Sequence, residues 1–393
     1  MFSSRVPSEL EPNRLARAIE EMRRAGRPFV DLTESNPTRA GFEYPSDLLA
    51  RLADRRALAY APSPFGARDA RSAVALDYAR QGVDVDAERI VLTSSTSEAY
   101  SHLFKLLTDA GDEVLVPRPS YPLFDHLTRL DLVNARPYAL DYHGRWTIDF
   151  DSIERALTAR TRAVLVVSPN NPTGSFVARD ELDRLAAICA ERGLAIVADE
   201  VFADYELDAD AARRAGRVAA QRAALSFALG GLSKSVGLPQ VKLGWIAVGG
   251  PEARAAEALR RLEVICDAYL SVSTPVQAAA PELLARGAGV RAQIAARVRA
   301  NLRCLQRDAA SVPACRVLEA EGGWYAVIQV PSFEPEEDLV VRLLTTVGVL
   351  VHPGYFFDFP RESFVIVSLL PTPALFREGI GRILRHFDCT SAS

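Results

Sequence analysis

Lys234 is the residue of this sequence best suited to covalent chemistry. It stands between two serines in the stretch ALGGLSKSVGLPQVKLGW, just after an apolar run, Ala223 to Leu229, that predicts a strand. A lysine in a turn at the end of a strand can be partly desolvated, which lowers the pKa of its amine and frees it to form a Schiff base with a carbonyl compound. A solvated lysine in an ordinary turn would give the same short pattern, so the choice between them depends on what the rest of the chain places nearby.

Two further polar residues follow apolar strands in the same way. Asn171 comes soon after the run Ala163 to Val167, and Asp199 comes after the run Leu194 to Val197. Helical patterns separate these runs, which indicates a parallel sheet buried on both faces. Because the carboxyl ends of parallel strands lie at one edge of a sheet, an amide, a carboxylate and an amine are expected on the same rim.

A hydroxyl-rich turn suggests where an anion could bind. The sequence predicts a strand at Ile90 to Leu92, the polar turn Thr93 to Ser97, a helix at Glu98 to Leu107 and a strand at Glu113 to Val116, which together form a βαβ unit. Hydroxyls and the free N–H groups of a first helical turn form an anion site, although a plain serine N-cap gives the same pattern.

The remaining segments predict a second, smaller unit. Helical patterns through Gln277 to Arg307 lead to the strand in GGWYAVIQVP, then to a strand at Phe364 to Leu370 and a last helix at Leu375 to His386. A chain of 393 residues with 49% hydrophobic content exceeds what one core usually supports. We therefore expect an α/β protein with a large, mostly parallel central sheet flanked by helices and a smaller α/β C-terminal domain.

Composition restricts the class of partner. The net charge of -4 and the lack of any basic block argue against nucleic acid or an anionic membrane and favour small molecules. No stretch is long and apolar enough for a signal peptide or a membrane span, so the expected location is the cytoplasm. The five cysteines lack metal-ligand spacing and are expected to be reduced: Cys189, Cys266, Cys304, Cys315 and Cys389.

Several short motifs occur in an order and at separations that resemble a known family. They are Tyr60 with Gly66, Ser95-Thr96, Pro119-Ser120-Tyr121, Asn171-Pro172-Thr173-Gly174, Asp199 and Ser233-Lys234. From about residue 30 to its end, the chain resembles the pyridoxal-phosphate-dependent aminotransferases of class I/II, which have the fold called type I. The resemblance implies an N-terminal segment, residues 1–45, that packs with the small domain, a large cofactor-binding domain, residues 46–270, and a small domain, residues 271–393.

The resemblance also implies a role for each motif. Lys234 would hold the cofactor as a Schiff base and then move the proton between the substrate and the cofactor, while Asp199 would pair with the pyridine nitrogen. Asn171 would donate to the ring oxygen and Tyr121 would stack on the ring. The phosphate would be held by Ser95, Thr96 and Ser233, and by Tyr60 of the neighbouring subunit, so a homodimer would complete the site.

Three positions depart from the family pattern. Phe202 stands where a tyrosine usually hydrogen-bonds the ring oxygen, and Lys242 stands where an arginine usually forks onto the phosphate. Ile366 stands where an arginine usually clamps the substrate α-carboxylate. Arg39 or Arg361 could replace that arginine, and the loop that carries Ser35, Asn36 and Arg39 is expected to contact the substrate.

Three functions are compatible with these residues. The leading prediction is an aminotransferase that moves an amino group between an amino donor and a 2-oxo acid or related carbonyl compound. The same cofactor and fold could also serve a β-elimination lyase or a decarboxylase. A non-catalytic ligand-binding relative is the third possibility, suggested by Phe202, Lys242 and Ile366 but opposed by the presence of Lys234, Asp199 and Asn171.

Overall fold

The computed structural model describes residues 2–8 and 10–391, the last three of these by their backbone only. In chain order the helices are α1 (Arg14–Arg24), α2 (Arg68–Arg80), α3 (Thr96–Leu107), α4 (Leu123–Leu130), α5 (Phe150–Ala156), α6 (Arg179–Arg192), α7 (Ala209–Arg214), α8 (Leu232–Ser235), α9 (Glu252–Tyr269), α10 (Thr274–Arg286), α11 (Ala288–Ala309), α12 (Glu336–Arg342) and α13 (Pro373–Ser391). The strands are β1 (Val30–Asp31), β2 (Ile90–Thr93), β3 (Glu113–Arg118), β4 (Asn134–Tyr142), β5 (Trp146–Ile148), β6 (Thr161–Val167), β7 (Ala195–Asp199), β8 (Ser226–Gly231), β9 (Gly244–Gly249), β10 (Arg316–Val317), β11 (Tyr325–Gln329), β12 (Val349–Leu350), β13 (His352–Pro353) and β14 (Phe364–Ser368).

A large mixed sheet forms the centre of the molecule. Over the described residues it has eight strands in the order β2-β9-β8-β7-β6-β3-β4-β5. Strand β9 is antiparallel to both of its neighbours and β5 is antiparallel to β4, whereas the other neighbouring pairs are parallel. The expected mostly parallel sheet is therefore confirmed.

Burial on both faces explains the continuous apolar run of β6. Its side chains alternate between two cores: Leu165 and Val167 pack on one face of the sheet, and Val164 and Val166 pack on the other. All four are nearly inaccessible to solvent. A strand covered by helices on both faces has apolar side chains on both sides. The sequence pattern of β6 therefore does not show which side chains face which core.

The predicted βαβ unit of β2, α3 and β3 is only partly correct. The three elements exist, and α3 begins at Thr96, two residues before the predicted start, because Ser95 caps it. However, β2 and β3 are not neighbours, since β9, β8, β7 and β6 lie between them. Strands that come later in the sequence insert into this gap, a long-range pairing that local pattern does not encode.

A second core belongs to the C-terminal part of the chain. The antiparallel sheet β10-β11-β14-β13 packs with α11, α12 and α13. The N-terminal segment joins this core through Leu15 and Met22 of α1 and through β1, which pairs in parallel with β12. By contrast, α10 packs on α2 in the core of the large sheet. The domain limits remain a prediction, and this packing favours a change of domain between α10 and α11.

Within the described part of the chain, no helix is long and apolar enough to cross a membrane. Among the same residues, no group of three or more histidine, cysteine, aspartate or glutamate side chains is arranged to hold a metal ion. Cys189, Cys266, Cys304 and Cys315 are buried free thiols, and the side chain of Cys389 lies outside the described residues.

Candidate active site

A cleft of about 350 Å³ opens at the carboxyl edge of the large sheet. It lies where β7 and β8 end and where the loops after β3 and β6 turn back, which is the expected position for a site in a sheet of this kind. Most of the residues singled out from the sequence line it together: Ser35, Ser95, Thr96, Tyr121, Asn171, Asp199, Phe202, Ser233, Lys234 and Lys242.

Lys234 lies on α8, a single helical turn that follows the end of β8. Its Nζ is 4.9 Å from the ring centroid of Trp324 and 5.5 Å from that of Phe202, so aromatic faces surround much of the amine. Burial lowers the pKa of Lys234 from 10.5 to about 8, and the negative charge of Asp199 partly opposes this shift. A substantial fraction of the amine is therefore neutral, and hence nucleophilic, at mildly alkaline pH.

Asp199 is the last residue of β7. Burial raises its pKa from 3.8 to about 6, while a hydrogen bond from the Val201 N–H at 3.1 Å, the charge of Lys234 and the hydroxyl of Tyr100 each favour the ionised form. The two pKa values leave a window from about pH 6 to pH 8 in which both side chains are charged. The cleft thus holds a carboxylate and an ammonium group that each lower the free energy of the other's charge.

The N-terminus of α3 forms the polar end of the cleft. The Ser95 hydroxyl accepts a hydrogen bond from the Glu98 N–H, and the Glu98 carboxylate accepts one from the Ser94 N–H at 2.7 Å, which fixes the first turn. Gly244 packs so closely against this turn that a Cβ there would lie 3.0 Å from the Ser95 carbonyl carbon and 3.1 Å from the Thr96 nitrogen. The helix end, its hydroxyls and the nearby Lys242 together favour a bound anion.

Asn171 and Tyr121 are positioned by two loops tied to each other. The Ser120 hydroxyl donates to the Asn170 side-chain oxygen at 2.6 Å, and the Asn170 amide donates to the Pro119 carbonyl at 3.0 Å. Gly174 is required in the second loop because its φ is +74° and a Cβ would lie 2.7 Å from the Gly322 carbonyl oxygen. Tyr121 follows the first of these loops directly and lines the cleft with Asn171.

One polar atom on the wall of the cleft has no partner. The side-chain oxygen of Asn171 is buried without a hydrogen bond. Unpaired buried polar atoms are rare in folded proteins, so this oxygen indicates a ligand that supplies a hydrogen-bond donor. An anion site, a carboxylate, an amide and an amine of lowered pKa suit a ligand that carries a phosphate, a ring nitrogen, a ring oxygen and an aldehyde.

Four of the sequence-predicted residues do not line this cleft. Tyr60 is 78% exposed and lines a separate surface cavity with Leu270. Arg39 is exposed, and the Asn36 side chain accepts hydrogen bonds from Thr38 instead. Ile366 is fully buried in β14, whose register pairs it with Val327 and His352, two residue pairs along the strand from the Ser368 and Tyr325 pair.

Sequence reasoning missed several lining residues. Tyr325 enters the cleft from β11, and Tyr100 enters it from α3. The apolar wall comes largely from α4, through Leu123, Phe124 and Leu127. The small domain contributes Tyr325 to the cleft. In the sequence, the motif GGWY predicted only a strand at this point and did not indicate that its tyrosine would line the site.

A larger and shallower cleft, of about 750 Å³, lies between α2 and α7. Arg80, Arg217 and Asp204 line it, but none of the residues at the strand ends does. Because the groups that could do chemistry concentrate around Lys234, the smaller cleft is the candidate active site.

The fold and the residues that line the cleft fit an α/β enzyme that binds pyridoxal phosphate, and comparison with known proteins agrees. The family described as aminotransferase class I and II matches residues 28–383, so the chain belongs to this family. The glutamate-pyruvate aminotransferase AlaA of Escherichia coli is 27% identical over 90% of this chain and 88% of its own length. An alanine aminotransferase of Mycobacterium tuberculosis is 29% identical over 88% of this chain and 82% of its own.

Solved structures show the same architecture. An alanine aminotransferase from Pyrococcus furiosus superposes with a TM-score of 0.88 at 22% identity, covering 98% of this chain and 99% of that one. An aminotransferase from Escherichia coli gives a TM-score of 0.86 at 24% identity, covering 98% of each chain. These structures confirm the predicted fold type I architecture, and the family match with its curated relatives confirms pyridoxal phosphate as cofactor and aminotransferase activity.

Proposed function

We propose that Lys234 is the residue that binds the cofactor covalently and moves the proton during amino transfer. The observation that carries this proposal is the pairing of an amine, whose pKa burial lowers to about 8, with the ionisable carboxyl of Asp199 in one cleft. When bound, pyridoxal phosphate supplies an aldehyde that condenses with amines and a ring that accepts electrons from the substrate α-carbon. Among the described residues, the other lysine that lines the cleft is Lys242, which lies at its anion end.

The other residues of the cleft would bind and orient the cofactor. Asp199 would keep a proton on the ring nitrogen, which requires the carboxylate to stay ionised. The Asn171 amide would donate to the ring oxygen, and Tyr121 would cover the ring. Ser95 and Thr96 at the N-terminus of α3, with Ser233 and Lys242, would hold the phosphate.

We extend the proposal to assembly and location. The active species is a homodimer in which Tyr60 contacts the phosphate bound by the neighbouring subunit, a role supported by its 78% exposure on its own chain. The partners are otherwise small molecules, and neither nucleic acid nor a membrane is expected. The location is the cytoplasm, as proposed from the sequence.

The substrates are an amino donor and a 2-oxo acid or related carbonyl compound. The relatives named for alanine and for glutamate and pyruvate support this class. The site of this chain departs from the family pattern in the residue that would bind the substrate carboxylate. Ile366 stands where an arginine is usual and is buried, and among the described residues the cations that line the cleft are Lys234 and Lys242. We therefore propose Arg39, in the loop that places Ser35 in the cleft, as the group that binds the substrate carboxylate.

The decisive experiment uses the small number of lysines in this chain, which are Lys105, Lys234 and Lys242. Purified protein should show the visible absorbance of bound pyridoxal phosphate, and Lys234→Ala should abolish it and reduce turnover by about 10²–10⁴-fold. Lys105→Ala is the matched control, because Lys105 pairs with Asp131 on the surface. Unchanged absorbance in the Lys234 variant would exclude the assignment, and analysis of the products would separate transamination from elimination or decarboxylation.

A further inference from the structure

Tyr205 contacts Lys234 by two separate routes. It is fully buried, and its hydroxyl donates a hydrogen bond of 2.5 Å to the main-chain carbonyl of Lys234. Its ring packs edge to face on Trp324 with centroids 5.1 Å apart, and the Trp324 ring in turn lies 4.9 Å from the Lys234 amine. Tyr205 therefore supports both the main chain and the reactive end of the same residue.

The turn that carries the lysine depends on such outside support. The carbonyls at the end of a helix have few partners within it, and α8 is a single turn in which the Lys234 carbonyl accepts a long main-chain hydrogen bond, 3.4 Å, from the Gly237 N–H. Tyr205 bonds the Lys234 carbonyl, and the buried Arg291 donates to the Ser235 carbonyl at 2.8 Å. Arg291 is itself held by Asp77 at 3.1 Å and Asp204 at 3.5 Å. The base of the turn is thus fixed from the side opposite the cleft.

The hydrogen bond of Tyr205 could serve stability alone, because any buried tyrosine needs an acceptor for its hydroxyl. Two features favour a role in function. The acceptor is the carbonyl of the reactive residue itself, and the second route ends at its amine. We infer that Tyr205 is a positioning residue that holds the Lys234 amine in place in the cleft, through the carbonyl of that lysine and through Trp324.

The inference rests on the proposed role of Lys234, but it can be tested without the cofactor. The chain has three lysines, so cofactor-free protein labelled with ¹³C at the lysine ε-carbon gives few side-chain signals to follow by NMR. The signal lost in Lys234→Ala identifies Lys234. Its pKa is expected at about 8 in the parent, because burial disfavours the charged form.

The variant is Tyr205→Phe, which removes one oxygen and keeps the ring on Trp324. Its matched control is Tyr138→Phe, since Tyr138 is also buried and its hydroxyl donates to the Leu165 carbonyl at 2.8 Å. We expect both variants to lower the melting temperature similarly. Only Tyr205→Phe should raise the pKa of Lys234 towards 10.5 and slow condensation with added pyridoxal phosphate by about 10- to 100-fold. Trp324→Phe, which weakens the second route, should move the pKa in the same direction.

The inference would be overturned if Tyr205→Phe left the pKa of Lys234 and the condensation rate equal to those of Tyr138→Phe. It would also be overturned if Tyr205→Phe failed to fold while Tyr138→Phe folded, because that outcome assigns Tyr205 a structural role. Failure of the proposed function itself is a different result, namely visible absorbance that persists in Lys234→Ala.

Discussion

At the scale of single residues, the chemistry of the cleft depends on how Lys234 and Asp199 affect each other's protonation. Burial lowers the pKa of the lysine and raises that of the aspartate, and each charge partly reverses the shift of the other. For Lys234 the neutral amine, which is the nucleophile, becomes more abundant as the pH rises through about 8. For Asp199 the ionised form becomes dominant above about pH 6.

The first prediction concerns this coupling. Asp199→Asn removes the negative charge that favours the ammonium form, so the pKa of Lys234 in cofactor-free protein should fall below about 8. The NMR titration of the three lysines measures it directly. Asp141→Asn, at an exposed position of β4, should leave the titration unchanged. A Lys234 pKa that rises or stays constant in Asp199→Asn would mean that the two groups do not interact as described.

The second prediction is a pH dependence. Because the neutral amine reacts, the rate at which cofactor-free protein takes up pyridoxal phosphate should increase with pH and level off above a midpoint of about 8. Stopped-flow absorbance from about pH 6 to about pH 10 would record it. In Asp199→Asn the midpoint should move to lower pH, in step with the NMR titration, and a midpoint unrelated to that titration would show that another group limits uptake.

At the scale of elements, the anion end of the cleft depends on how closely β9 approaches the first turn of α3. The third prediction is that Gly244→Ala weakens cofactor binding, because the added Cβ would crowd the Ser95 carbonyl carbon and the Thr96 nitrogen at 3.0 to 3.1 Å. The dissociation constant for pyridoxal phosphate, measured by equilibrium dialysis, should rise about tenfold or more.

The control for this substitution is another glycine whose added Cβ meets open space. Gly289 lies in α11, where no heavy atom stands within 4 Å of the position that a Cβ would occupy. Gly289→Ala should leave cofactor binding unchanged and stabilise the helix by about 0.5–1 kcal/mol. Equal cofactor affinity in the two variants would show that the approach of β9 does not shape the anion site.

The loop after β1 carries the fourth prediction. If Arg39 binds the substrate carboxylate, Arg39→Ala should weaken the binding of α-amino acids by about 2–5 kcal/mol and leave simple amines unaffected. Spectral titration of the bound cofactor with both kinds of ligand separates the two cases. Arg27→Ala, also exposed in the N-terminal segment, is the control. Equal losses for amines and amino acids would remove Arg39 from the carboxylate site.

At the scale of the whole molecule, Tyr60 does not line the cleft of its own chain. This side chain is 78% exposed and stands near other exposed apolar groups, among them Leu58 and Leu270. Exposed apolar side chains gathered on one face are typical of a subunit interface. Such an interface would bring Tyr60 to the second chain.

The fifth prediction tests this contribution by mixing inactive subunits. In a hybrid of Lys234→Ala and Tyr60→Phe chains, one of the two sites combines an intact Lys234 with an intact Tyr60 from the partner. Refolding the two variants together should therefore restore activity that neither has alone, beyond the residual activity of Tyr60→Phe. No gain on mixing, or full activity in a sedimenting monomer, would show that Tyr60 does not act across subunits.

Much of the site follows from local sequence. Asp199 and Lys234 lie just beyond apolar runs that form strands, and Asn171 lies in the loop after a third, so their presence on one rim follows from a parallel sheet. The N-cap of α3 at Ser95 also depends on local sequence, because a serine before an amphipathic run with a glutamate three residues later satisfies the first turn of a helix, although the predicted helix started two residues too late. Residue type and spacing indicated these features because each depends mainly on neighbours in the chain.

The tertiary structure decided the remainder. Strands β9, β8, β7 and β6 lie between β2 and its predicted neighbour β3. Trp324 and Tyr325 belong to the core of the C-terminal part of the chain and line the cleft or contact Lys234 there, although they are far from it in sequence. The lowered pKa of Lys234 likewise arises from the groups that exclude water from its amine, and Tyr205 acquires its link to that lysine only when β8 and the loop after β7 pack together. Sequence therefore determined which chemical groups stand at the strand ends, whereas burial and long-range packing determined how those groups behave, because desolvation depends on every atom around a side chain and not on its neighbours in the chain.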